Sequence, residues 1–105
     1  MTPSRTSLVA FALFGLMSAS ARADMIQVTI DKLAFAPANV EAKVGDTIEW
    51  INKDALAHTA TATNGAWNVV IAPKKTARLV LKKAGSVDYF CTYHPNMRGR
   101  IVAVP

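Results

Sequence analysis

From Met25 onward, apolar and polar residues alternate in short runs. Ile26, Val28 and Ile30 alternate with Gln27, Thr29 and Asp31, the period of a half-buried strand. Phe35-Ala36-Pro37-Ala38-Asn39 breaks that run, and Val40 to Val44 predicts a second short strand, turned by Gly45-Asp46. Thr47 to Asn52 predicts a third, with Ile48 and Trp50 on one face and Thr47 and Glu49 on the other. His58 to Thr63, rich in Thr and Ala, predicts another before the Asn64-Gly65 turn signal. Ala77 to Lys82 alternates again, Gly85 opens a strand over Val87 to Cys91, and Gly99 to Val104 closes the chain. No stretch after residue 24 has helical spacing, and no repeat, linker or low-complexity tract interrupts the pattern. Many short strands at regular intervals predict an all-β sandwich or small barrel. An immunoglobulin-type domain is excluded: Tyr89-Phe90-Cys91 resembles its late strand, but the second Cys of its inter-sheet disulfide is missing.

The first 23 residues read differently, as a secretory signal peptide. Arg5 supplies the positive start, Leu8 to Met17 the apolar stretch, and Ala21-Arg22-Ala23 a small-x-small cleavage site. Ten apolar residues are far fewer than the roughly 20 of a spanning helix, so no membrane span is expected. The expected mature chain, 24–105, is one small domain starting at Asp24, and the expected location is periplasmic. Removing Arg5 and Arg22 leaves ten basic and seven acidic side chains, a formal charge of +3. That mild excess suits an acidic partner or anionic surface. The basic residues lack interleaved aromatics, which argues against nucleic acid as a partner. Lys74, Lys75, Arg78, Lys82 and Lys83 read as a solvated edge that discourages sheet-to-sheet pairing. Arg98 and Arg100 are better placed to steer a partner.

One cysteine cannot pair within the chain, and an unpaired thiol is unusual in an oxidising compartment. Its neighbours suggest a reason. Cys91, His94 and Met97 lie in one short run, Cys91-Thr92-Tyr93-His94-Pro95-Asn96-Met97, and the only other histidine is His58. A thiolate, two imidazoles and a weak thioether are the donor set of a blue-copper site. Structural zinc favours four strong Cys or His donors, and only three are available. Haem attachment would need Cys-x-x-Cys-His, which is absent. A Cys91 nucleophile with His94 as base would lack an orienting acid and leave Met97 idle. Pro95 has no N–H and restricts His94, which stiffens the loop.

The stretches Val44 to Asn52, His58, and Gly85 to Gly99 with Asp88-Tyr89-Phe90-Cys91-Thr92-Tyr93-His94-Pro95-Asn96-Met97 resemble the cupredoxins, the amicyanins and small plastocyanin-like proteins above all. The resemblance implies a Greek-key β-sandwich with one type 1 copper ion. His58, Cys91 and His94 would be the strong ligands and Met97 the axial one. It further implies a monomer that carries single electrons between redox partners, a c-type cytochrome or a dehydrogenase, and no enzymatic activity. Copper buffering or delivery is the alternative. Open Cu(I) carriers use several Met and His, whereas the mature chain has only Met25 and Met97. The chain departs from the family pattern at three places. Ala57 and Thr59 flank His58 where Pro and Asn are common, and Asn96 stands where an apolar residue is common. The family's Asn ties the two ligand loops together, so Thr59 would have to do this through Thr92. Its backbone N–H could also donate to the Cys91 sulfur. Trp50, Trp67 and Tyr89 are expected in the core, and Tyr93 at the surface.

Overall fold

A computed structural model describes residues 22–105. The expected signal peptide falls almost wholly outside the described residues. Nine strands form two sheets: β1 (Met25–Asp31), β2 (Ala34–Ala36), β3 (Asn39–Lys43), β4 (Thr47–Asn52), β5 (His58–Ala62), β6 (Asn68–Ile71), β7 (Thr76–Val80), β8 (Gly85–Phe90) and β9 (Arg98–Val104). One sheet has the order β2-β1-β4-β7 and the other β3-β9-β8-β5-β6. The chain passes from sheet to sheet, so β1 pairs with β4 and β3 with β9 in parallel, while the remaining pairs are antiparallel. This is the all-β sandwich expected from the alternation. Among the described residues there is no helix.

The alternation does what it predicts. Val28 and Ile30 of β1, Ile48 and Trp50 of β4, and Ile101 and Ala103 of β9 meet between the sheets with Phe35, Val40, Ile71 and Tyr89. Tyr89 is the centre of an aromatic cluster, with ring centroids 4.8 Å from Phe35, 5.6 Å from Trp50 and 5.7 Å from Trp67. Trp50 Nε1 donates to the Tyr89 hydroxyl at 3.2 Å, so both buried polar atoms are satisfied. Burial pushes the Tyr89 phenol up to about 12, and it stays neutral.

Three local features differ from expectation. The β1–β2 hairpin turns through Lys32 and Leu33 at φ 53° and 62°, with no Gly or Asn to announce it. Asp54 replaces that missing signal: its carboxylate accepts the Lys32 N–H at 2.8 Å and the Leu33 N–H at 3.1 Å. β6 also went unpredicted. Its residues alternate weakly, and its pairing with β5 is what makes it a strand. Glu49, expected on a polar face, is buried. Gln27 and Arg78 on the flanking strands cover its carboxylate, at 2.9 Å each. Those two hydrogen bonds hold its pKa below the usual glutamate value despite burial.

Candidate metal centre

The five-stranded sheet, in which β9, β8 and β5 are neighbours, brings distant residues to one end of the sandwich. His58 is the first residue of β5, Cys91 follows β8, and Met97 precedes β9. Cys91 Sγ lies 3.7 Å from His58 Nδ1 and 3.8 Å from His94 Nδ1. All three donor atoms fall within 4.8 Å of one another. Bonds of about 2.0–2.3 Å from one first-row ion would hold a sulfur and a nitrogen donor roughly as far apart as Cys91 Sγ is from the two Nδ1 atoms. Met97 is buried and belongs to the same core cluster as Cys91.

The loop between β8 and β9 closes on itself. Cys91 N–H donates to the Met97 carbonyl (3.1 Å), His94 N–H to the Cys91 carbonyl (3.3 Å), and Met97 N–H to the His94 carbonyl (2.8 Å). The three residues are therefore fixed by their own backbone, which leaves their side chains free to act as donors.

Thr59 joins the two ligand segments. Its N–H points at Cys91 Sγ at 3.4 Å, as expected. Its hydroxyl oxygen accepts the Thr92 N–H at 2.9 Å and lies 3.2 Å from the Thr92 hydroxyl. The hydroxyl continues to Thr61 at 2.9 Å, and Thr61 donates to Asn68 at 2.6 Å. Thr59 thus supplies the cross-loop tie that the family obtains from Asn.

Sequence reasoning missed Asp54 and Asn52. Asp54 Oδ2 lies 2.9 Å from His58 Nε2. A carboxylate in that place keeps the proton on Nε2 and leaves the Nδ1 lone pair facing Cys91. Burial pushes the Asp54 carboxyl up. The Leu33 and Lys32 N–H groups and the His58 ring outweigh that and hold it below the usual aspartate value. Asn52 is buried, and its amide donates to the carbonyls of Leu56 (2.9 Å) and Ala72 (3.1 Å) while its oxygen accepts the Asp54 N–H (2.9 Å). These bonds set the path of the 53–57 loop that delivers His58. The only signal in the sequence was an acid four residues before a histidine.

His58 and Cys91 are fully buried, whereas His94 is partly exposed. Tyr93 beside it, and Leu56 two residues before His58, are exposed apolar side chains. Arg98 is exposed, and Arg100 is ion-paired with Asp88 at 2.7 Å. One soft thiolate and two imidazoles gathered in one cluster are donors that suit copper.

Similarity to known proteins agrees with this geometry. A cupredoxin-like domain model matches residues 4–103. Amicyanin of Paracoccus versutus is 33% identical over 91 residues, which cover 81% of this chain and 69% of that protein. A methylamine utilization protein of Methylorubrum extorquens is 35% identical over 97 residues, covering 89% and 84%. The crystal structure of Paracoccus versutus amicyanin superposes with a TM-score of 0.67 at 30% identity, covering 79% of this chain and 84% of that one. The chain belongs to the cupredoxin-like family.

Proposed function

We propose that His58, Cys91 and His94 hold one copper ion, with Met97 as a weak fourth donor, and that the protein carries single electrons between redox partners. When bound, copper supplies a one-electron Cu(II)/Cu(I) couple. The chain's own residues make that couple usable. The backbone-closed 91–97 loop and the Thr59–Thr92 tie limit movement of the donors between oxidation states. The Thr59 N–H orients the sulfur, and Asp54 orients the His58 ring. Buried His58 and Cys91 keep water from the site, while partly exposed His94 offers an edge through which an electron enters and leaves. Four protein donors leave no open position for a substrate, so the protein is an electron carrier and not an enzyme. The observation that carries this reading is the Cys91–His58–His94 cluster, with a buried thiol and no disulfide partner.

The same reading places the protein in the periplasm, after removal of residues 1–23 as a signal peptide. Among the described residues no helix is long and apolar enough to cross a membrane. Its partners are redox proteins. A dehydrogenase as donor fits the relative named for methylamine utilization, and a c-type cytochrome would serve as acceptor. Arg98 is the cation beside the ligand loop that would meet an acidic partner surface.

The test is Cu(II) titration of the chain from Asp24 onward, followed by visible absorption and electron paramagnetic resonance. An intense thiolate-to-copper band with narrow hyperfine splitting, lost in Cys91→Ser, is expected. A pale signal that survives the substitution would overturn the assignment.

A further inference from the structure

The end of β4 remote from the His58 loop holds an unusual carboxylate. Asp46 is 1% exposed. Its Oδ2 accepts the Lys43 N–H at 2.8 Å, and its Oδ1 accepts the backbone nitrogen of Asp24 at 2.8 Å. The nearest cation is the Lys43 ammonium, 3.6 Å away on a side chain that is itself 43% exposed. The Asp24 and Lys43 N–H groups outweigh burial and hold the carboxyl below the usual aspartate value, so the site is a preformed anion with its lone pairs aimed at the start of β1. Asp24 is held from its other side too, since its carbonyl accepts the Thr47 N–H at 2.9 Å where β1 begins to run beside β4.

Asp24 is also the residue at which the sequence places the start of the mature chain. Arg22 and Ala23 are exposed and lie outside any strand, and the first strand starts only at Met25. We propose that Asp46 is the receptor for the α-ammonium of the mature chain, so that removal of the leader turns an amide-to-carboxylate hydrogen bond into a part-buried ion pair. This rests on the export reading above. The step is a hydrolysis by a leader peptidase. Water adds across the Ala23–Asp24 bond, the C–N bond breaks, Ala23 leaves as a carboxylate, and the Asp24 nitrogen becomes a protonated amine. The new charge forms 2.8 Å from Asp46 Oδ1, on an atom that β1 has already positioned. In the unprocessed chain the same nitrogen is an amide and carries no charge. The precursor therefore keeps the hydrogen bond but lacks the charge on it, and full stability arrives only after cleavage. Lys43, the Asp24 carboxylate and Glu41 are the other charged groups around this concavity.

Two measurements test this, and they fail independently. Mass spectrometry of the full-length chain recovered from the export compartment should give an N-terminus at Asp24; any other terminus overturns the maturation step. Separately, the copper-loaded chain starting at Asp24 is compared with its Nα-acetylated form, which keeps the N–H but loses the charge. At about pH 6 the free amine should fold with an equilibrium constant at least about tenfold larger, the equivalent of one unit in the amine pKa. The advantage should shrink at a pH well above the ordinary amine value of about 7.7–8.0, while Lys43 and the acids keep their charges. Asp46→Asn should remove the difference, and the pH comparison needs no substitution if that variant folds poorly. Equal stability of the free and acetylated chains across this range would overturn the ion pair.

Discussion

Replacing Gly99 with Ala should be among the most damaging small changes in this protein. Gly99 lies on β9 directly opposite Tyr89 on β8. A Cβ there would sit 2.5 Å from Tyr89 Cζ, 2.6 Å from its hydroxyl oxygen and 2.7 Å from Cε1. Comfortable carbon contacts need about 3.5–4.0 Å, so the ring must move by about 1 Å. It has nowhere to go, because Phe35, Trp50 and Trp67 surround it and it is 1% exposed. Overpacking of this kind costs about 1–3 kcal/mol. A displaced hydroxyl also strands the Trp50 N–H, which adds about 1–3 kcal/mol for an unsatisfied buried donor. Gly99→Ala should therefore lose about 2–6 kcal/mol. Urea unfolding followed by tryptophan fluorescence would report it. With a slope of about 1–1.5 kcal/mol/M for a chain this small, the midpoint should fall by about 1.3 M or more. A fall of less than about 0.5 M at unchanged slope would refute the view that Tyr89 is locked by its neighbours.

Three further outcomes are expected. Asp54→Asn removes the negative charge behind His58 and should raise the reduction potential, by about 60 mV if the oxidised form loses tenfold in relative stability; voltammetry that finds no change would dismiss Asp54 as a tuning residue. Asp46, Glu49 and Asp54 all have carboxyl groups held below their ordinary values, so the stability they contribute is complete above the unfolded values of about 3.9–4.3 and is lost as pH falls through the lower folded values. Urea midpoints should accordingly drop below about pH 4, and a flat or rising profile there would contradict the hydrogen bonds assigned to these groups. Arg98→Glu should slow electron exchange with an acidic partner at low ionic strength, with the effect fading as salt screens it. Arg100→Glu should matter less for steering because Asp88 already neutralises Arg100; equal rates for wild type and Arg98→Glu would remove Arg98 from the docking surface.

Much of the fold was legible because period-two alternation is a direct record of which face is buried, as in β1 and β4. The four candidate donors were legible because each is chemically scarce in this chain. What the sequence hid was set by long-range contacts. The Lys32–Leu33 turn is ordered by an acid more than twenty positions away, and β6 is a strand only because β5 lies beside it. Glu49 reads as a solvent-facing charge until Gln27 and Arg78 arrive from two other strands. Thr59 was recognised as a substitute for Asn, but the chain of hydroxyls behind it, through Thr61 to Asn68, exists only once β5 and β6 pair.

Asp54 has a consequence for how this protein can drift in evolution. One carboxylate caps the Lys32–Leu33 hairpin and also steadies the His58 ring. A surface turn, ordinarily a tolerant place for insertions, is thereby yoked to the redox chemistry at the far side of the same acid. Descendants that lengthen this hairpin inherit an aspartate with two lost anchors. Unless another donor replaces those anchors, the lineage must accept a looser histidine and a shifted potential. Changes in the length of this hairpin should therefore travel with variation at residue 54.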